Sequence, residues 1–421
     1  MDELLYTVWL SLSCTPGTET FSKLLGRFSS PIDIYSADAE DISACIGSSS
    51  RDYNLLLDKS TKRAEKIIDF CNRKSVGILS YFDKDFPASL KAIKNPPVLL
   101  YYRGNLPRFN ERMLISVVGT RRLTDYGRKN AFTVSHDLAR AGAVIVSGMA
   151  HGIDGVALAG AVCTGEPTVA VLGSGIDVCY PSQHKRLAQE IVKNGCVLTE
   201  YAPGTRPERY NFPVRNRIIS GLSAATLVVE GNENSGALIT ARRAFEQGRR
   251  VYALPGNVGN ANSEASNLLI KNGAGLFTCA DDIVRDYDKI SPGKLNPFKL
   301  AEPVMLDQRE ILLELEVSCV APSDEIFRPA RKKKSKEEEK STDTSPQTQK
   351  AVSQKGEEVL PPFDKKTVEI YKRIPIDTEC SVEDLIDENY ALRDVMQGLL
   401  KLEIARFVVM LPGDRVKRNL K

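Results

Sequence analysis

Between residues 110 and 288 the chain repeats one pattern, and that pattern leaves few folds open. Short apolar runs at Leu114–Val118, Ala143–Val146, Thr168–Leu172, Val197–Thr199, Ala225–Val229 and Arg250–Leu254 alternate with amphipathic stretches near 124–141, 153–163, 182–194, 213–222, 236–248 and 263–273. Short apolar runs suit strands buried on both faces, and the stretches between them carry the period of helices. This alternation predicts a mostly parallel sheet with helices on both faces, a doubly wound α/β fold. Ligands of such sheets lie at the carboxyl ends of the strands. Here those ends carry Gly119-Thr120-Arg121, Ser147-Gly148, Gly173-Ser174-Gly175, Glu200, Glu230-Gly231 and Pro255-Gly256. The stretch from Ile115 to Asp154 is the clearest case. Two buried strands each end in a small-residue turn before a helix, and Gly152 opens the second helix. Backbone N–H groups at such turns attract anions, and glycine lets a ligand come close. The expectation is a phosphate-binding groove.

The flanks read differently. Residues 1–75 form a small helical module: Leu4, Leu5, Val8, Trp9 and Leu12 recur at helical spacing, and the turn Thr15-Pro16-Gly17-Thr18 precedes Phe21, Leu24, Leu25 and Phe28. Short helices joined by such turns occur in helix-hairpin-helix or SAM-like DNA binders, and also as plain connectors. Runs at Val76–Leu79 and Pro96–Gly104 are expected to add edge strands, which places the α/β core at 76–290. Residues 291–362 read as a largely disordered linker. Arg331-Lys332-Lys333-Lys334 is followed by Glu337-Glu338-Glu339 and a polar run to Pro361-Pro362, too few apolar groups to bury. Residues 363–421 read as a winged-helix-like domain. A first helix carries Val368, Ile370 and Tyr371, and Ser381 and Asp384 stand at capping-box spacing. Leu392, Val395, Met396, Leu399, Leu400 and Leu402 suit a third helix, and Arg406–Val416 a hairpin. Such modules bind duplex nucleic acid or protein.

A chain of 421 residues exceeds one ordinary domain. Its net charge is only +3, so any anion site must be a local patch. The nine cysteines make no CxxC or CxxH, which argues against a metal site or disulfide framework and for reduced thiols. The acidic start MDELLYTVWLSLSC lacks the bases of a signal peptide, and no run reaches the roughly 18 apolar residues of a membrane span. A cytoplasmic protein is expected.

Cofactor signatures are missing. No GxGxxG, GxxxxGK[ST] or GxSxG occurs, and His136, His151 and His184 have no evident nucleophile partner. Asp154, Asp177, Glu200 and Glu230 read as turn caps and arginine partners. The distinctive segment is Arg206 to Ser220, RPERYNFPVRNRIIS, with Arg206, Arg209, Arg215 and Arg217 around Tyr210 and Phe212. Two readings stand. Arginines neutralise phosphates while rings stack on unpaired bases, as single-stranded nucleic acid requires. Alternatively the arginines pair with Glu200, Glu208 and Glu230 and Phe212 joins the core. Asn234 to Thr240 is another strand-to-helix turn, with Ser235 and Thr240 hydroxyls and the Gly236 N–H able to face a phosphate.

In order along the chain, SVVGTR (116–121), SGMAHGID (147–154), LGSGIDVCYP (172–181), TEYAPGTRPERYNFPVRNRIISGLS (199–223), SGALITARRAFEQGR (235–249) and ALPGN (253–257) resemble the bacterial DNA-processing protein A family, DprA or Smf. The resemblance is strong over roughly 80–290 and looser at both ends. It implies an extended Rossmann-like core, a homodimer formed through that core, and a non-enzymatic protein that binds and protects incoming single-stranded DNA and loads the recombinase RecA onto it during natural transformation. It further implies that Gly119, Thr120 and Arg121 bind phosphate, with Ser147, Gly148 and Gly152 beside the groove. Arg209 would be a basic DNA contact, Phe212 a stacking ring, and Arg215, Asn216 and Arg217 the family's RNR element. This sequence departs from the family in three places: Ala237 stands where a serine is usual, 264–270 lacks the family's glycine, which bears on dimer geometry, and the linker is longer and more charged. An alternative is a nucleoside-monophosphate-cleaving enzyme of a related Rossmann-like family, but its PGGxGTxxE motif is missing.

Overall fold

A computed structural model describes residues 2–300, 306–319, 365–375, 378–387, 407–411 and 415–418, with 395, 399 and 402. They fall into two units, 1–331 and 332–421.

The first unit is built on nine strands: β1 (Gly77–Ser80), β2 (Leu99–Gly104), β3 (Leu114–Val118), β4 (Val144–Ser147), β5 (Thr168–Val171), β6 (Cys196–Thr199), β7 (Ala225–Val228), β8 (Arg250–Ala253) and β9 (Gly275–Leu276). Their order across the sheet is β1-β2-β6-β5-β4-β3-β7-β8-β9. From β6 to β9 the pairs are parallel; β1 and β2 add on antiparallel beyond β6. This is the extended, doubly wound arrangement expected from the sequence; β3 to β8 each lie within a residue of their predicted runs, while β2 starts three residues inside Pro96–Gly104.

Alternation along the strands fills two cores. Ile115 and Val117 of β3 and Ile145 of β4 point to the face covered by helices Asp125–Arg140 and Ile153–Val162. Leu114, Val118, Val144 and Val146 point to the other face, covered by helices Asn211–Leu222 and Gly236–Glu246. The strand order reverses between β3 and β7. Helices leave those two strands to opposite faces, so their carboxyl ends cannot be closed by a single connection, and a crevice opens there. The Ser116 hydroxyl donates to Thr226 Oγ1 at 2.8 Å, joining β3 and β7 beneath the crevice.

Six short helices between Asp2 and Arg73 form the N-terminal module. It shares the first core with the sheet through Val8, Trp9, Leu10 and Leu24. Buried Asp52 pins its Thr15-Pro16-Gly17 turn, accepting from the Thr15 N–H at 3.0 Å and the Thr20 hydroxyl at 2.6 Å.

The structure differs from the expected linker at its start. Pro297–Leu300 is a 3-10 turn, and Gln308–Glu314 is a helix with Leu312 and Leu315 buried in the first core. Regularly spaced apolar groups order a segment that its polar surroundings made look solvated. Residues 320–364, including the charged run, lie outside the described residues.

In the second unit, helix Lys365–Arg373 accompanies strands β10 (Cys380–Ser381), β11 (Val408–Leu411) and β12 (Arg415–Arg418), ordered β10-β12-β11. The expected hairpin is present. Of the expected third helix only Val395, Leu399 and Leu402 are described; they are helical and buried with Ile370, Tyr371 and Val408. The rest of the winged-helix expectation lies outside the described residues. No helix among the described residues is long and apolar enough to cross a membrane.

Candidate nucleic-acid interface

A cavity of about 930 Å³ opens where β3 and β7 diverge. The turn after β3 brings Gly119, Thr120, Arg121 and Arg122. The Thr120 N–H donates to the Glu230 carbonyl at 2.7 Å, locking this turn to the end of β7. Glu230 itself is buried and accepts from the Thr124 N–H at 3.0 Å and the Thr124 hydroxyl at 2.5 Å. It caps a turn, as its sequence context suggested.

The next wall is helix Asn211–Leu222 and the loop before it. Arg209, Phe212, Pro213, Arg215, Asn216 and Ile219 line the cavity from there. The Arg121 guanidinium lies over the Phe212 ring, 5.4 Å from its centroid, and that of Arg215 lies 5.8 Å away. Tyr180 packs on Phe212 at 5.6 Å, and a Cβ on Gly173 would come within 3.0 Å of the ring. Phe212 thus has two cations within about 6 Å of its ring. Such contacts are worth about 0.5–2 kcal/mol each. The opposite wall is amide-rich, with Asn232, Asn234, Ser235, Gly236, Thr240 and Asn262.

Beneath the arginines, Arg215 is 3% exposed and Asp154 8%. The Arg215 Nη1 donates to the Gly148 carbonyl at 2.8 Å and to the Val171 carbonyl. Burial draws its guanidinium down to about 10, with Asp154 and Tyr201 opposing, so it stays cationic at neutral pH. Burial raises the Asp154 carboxyl, opposed by Arg215 and Arg121. A Cβ on Gly148 would sit 2.5 Å from Arg215 Nη2 and 2.6 Å from Asp154 Oδ2, so only glycine leaves room where these charges converge. His151 also lines the cavity; burial and the charge of Arg121 lower its pKa. No group of His, Cys, Asp or Glu among the described residues is placed to hold a metal.

The family model for DNA recombination-mediator protein A matches residues 77–288. The DNA processing protein DprA of Bacillus subtilis is 35% identical over 233 residues, 55% of this chain and 78% of that protein. The chain belongs to the DNA-processing protein A family. The X-ray structure of the Streptococcus pneumoniae member superposes with a TM-score of 0.58 at 32% identity, covering 68% of this chain and 98% of that one. A Helicobacter pylori member, solved for its single-stranded DNA binding mode, gives 0.47 at 28% identity over 51% and 96% of the two chains.

The motifs that mark the DNA-processing protein A family divide in space. Gly119, Thr120, Arg121, Arg209, Phe212, Arg215, Asn216, Ser235, Gly236 and Thr240 share the cavity. Ser147, Gly148, Gly152 and Arg217 do not line it. The Ser147 hydroxyl donates to the Val117 carbonyl at 2.6 Å and is buried. Gly148 and Gly152 serve close packing instead of ligand approach: a Cβ on Gly152 would lie 2.4 Å from the Thr120 carbonyl. Arg217 turns away and pairs with Glu200 at 2.5 Å, both side chains buried. Ser235 and Thr240 reach the cavity with hydroxyls already engaged, Ser235 accepting from the Ala237 N–H and Thr240 donating to the Gly236 carbonyl. Sequence reasoning missed Tyr180, His151, Asn232 and Asn262 as cavity residues, and named Asn234 only as the start of its turn. The strand-end turns carrying His151 and Asn232 were visible; that their side chains converge was not.

Proposed function

We propose that the cavity holds the backbone of single-stranded DNA and that the chain protects incoming strands and loads RecA onto them during DNA uptake. The observation that carries this reading is the grouping of Arg121, Arg209 and Arg215 around Phe212 and Tyr180 at the crevice, facing an asparagine wall. Phosphates replace Phe212 as the partner of Arg121, a base then stacks on the uncovered ring, and the amides meet base edges. Binding is the role that these cations, rings and amides support. A homodimer through the core is part of the proposal. Leu268 and Leu276, 45% and 51% exposed at the β9 edge, support it, and sedimentation tests it.

The experiment is anisotropy with an oligo-dT strand and a matched duplex across salt. Affinity for the strand should exceed that for the duplex and fall with log salt at about 0.7 per phosphate neutralised. Arg121→Glu and Arg209→Glu should each lose at least tenfold while the protein stays folded. Wild-type binding by both variants would sink this use of the cavity, and release of free base from nucleoside monophosphates would favour the enzymatic alternative. The RecA step predicts that the chain shortens the lag of RecA assembly on protein-coated strands.

A further inference from the structure

The residues matched by the family model stop at 288, yet the chain runs on across the core. Helix Gln308–Glu314 packs on helix Ile153–Val162, and Asp307 caps it by accepting from the Arg309 and Glu310 N–H groups at 2.9 and 3.2 Å. Residues 317–319 then cross behind the turn at 149–152. The Ser318 carbonyl accepts from the Gly152 N–H at 3.0 Å. The Ser318 N–H donates to His184 Nε2 at 3.0 Å, and His184 Nδ1 faces the Met149 carbonyl at 3.0 Å. A carbonyl must accept and an amide N–H must donate, so the ring is neutral with its proton on Nδ1. Val317 fills the space above Gly155, 3.1 Å from where a Cβ would stand.

The turn so gripped holds an uncommon backbone shape. Met149 has a φ of +53°, left-handed for a residue with a side chain, and Gly152 one of +77°. Its other side is the cavity wall. His151 and Asp154 line the cavity, the Ile153 N–H donates to the Thr120 carbonyl at 3.1 Å, and a Cβ on Gly152 would meet Arg121 Cα at 2.8 Å. One turn of backbone separates Ser318 from Arg121.

We propose that residues 317–319 are a strap that positions the Arg121 wall. Ser318 and His184 hold the 149–152 turn in the shape that aims Arg121 and His151 into the cavity, so strap docking and strand binding favour each other. The coupling half of this rests on the single-stranded DNA reading; the bracing half does not. Coupling between two sites is reciprocal, so each event must stabilise the other.

Ser318→Pro in the full chain removes the donated N–H, while Ser318→Ala keeps both backbone groups and serves as the conservative control. Amide exchange at 149–153 and 120–122 should quicken about tenfold in the proline variant and not in the alanine variant. Oligo-dT affinity should fall on the order of five- to tenfold, within the usual range of coupling between sites, and by clearly less on an Arg121→Ala background. In the wild type, saturating oligo-dT should slow exchange at 315–319. That arm holds even where the proline variant folds poorly. Unchanged exchange at Gly152 in a folded Ser318→Pro protein overturns the brace. Faster exchange with full strand affinity, or a wild-type strap indifferent to oligo-dT, overturns the coupling. Absence of any strand binding refutes the DNA reading and the coupling with it, and leaves the exchange arm to decide the brace.

Discussion

Replacing Arg217 by methionine separates two roles that share one motif. Arg215 and Arg217 stand two residues apart on a helix, about 200° around its axis. Arg215 therefore faces the cavity and Arg217 the far side, where its side chain is 8% exposed and that of Glu200 5%. Removing one partner of such a pair costs about 3–5 kcal/mol, because the other charge stays buried. Two features pull the value down. Burial already pushes the Glu200 carboxyl up, so it can take a proton, and methionine keeps most of the arginine stem's volume. About 2–3 kcal/mol at neutral pH is expected for Arg217→Met. Arg217 Nε and Nη1 and Glu200 Oε1 are buried without protein partners beside a space of about 20 Å³, room for one water. The native pair is therefore imperfectly satisfied, and Glu200→Leu with Arg217→Met should return to within about 1 kcal/mol of wild type. The sole tryptophan, Trp9, lies in the adjoining N-terminal module, so urea unfolding followed by its fluorescence reads the change. Oligo-dT affinity should stay within about twofold, since no phosphate contact is lost. A tenfold loss of affinity with an unchanged unfolding midpoint would refute the placement of Arg217 outside the interface.

Three further outcomes are expected. Phe212→Leu should weaken oligo-dT binding by about 1–3 kcal/mol, the worth of a base stack, with the slope of affinity against salt unchanged; an altered slope would mean the ring acts through its arginines. Gly152→Ala should cost at least about 1–3 kcal/mol of stability by urea titration, from the backbone conformation alone and before the 2.4 Å approach to the Thr120 carbonyl is relieved. Burial, the largest influence, lowers His184 from 6.5 to about 4, although the Met149 carbonyl opposes it. The unfolded chain then binds the extra proton between those values, so the contribution is full above pH 6.5 and fades as pH falls toward 4. It is worth on the order of 3 kcal/mol, and urea midpoints at pH 7.5 and 4.5 that differ equally in wild type and His184→Asn would contradict it.

The architecture was legible because its signals are local. Each strand from β3 to β8 announces itself as an apolar run, and buried strands tolerate little else; β9, two residues long and not buried, carries no such signal. Ser235, Asp38 and Ser30 cap helices through bonds to residues two or three positions on, which is also local chemistry. The helix at 308–314 was missed for the opposite reason. Its order depends on Leu312 and Leu315 meeting a core formed by residues far earlier in the chain.

The sequence by itself determined the strand-and-helix alternation, the small-residue turns at the strand ends and the supply of arginines and aromatics in one segment. Those follow from periodicity and residue type. Only the tertiary structure decided which of them meet. The reversal of strand order at β3 and β7 brings a turn at 119–122, a helix at 211–222 and a loop at 232–236 to one crevice. The 3.6-residue pitch of that helix gives Arg215 to the cavity and Arg217 to a buried pair. The RNR element reads as one unit in sequence. In space it divides between two places, because a side chain's direction is set by the element that carries it and its surroundings by what packs there.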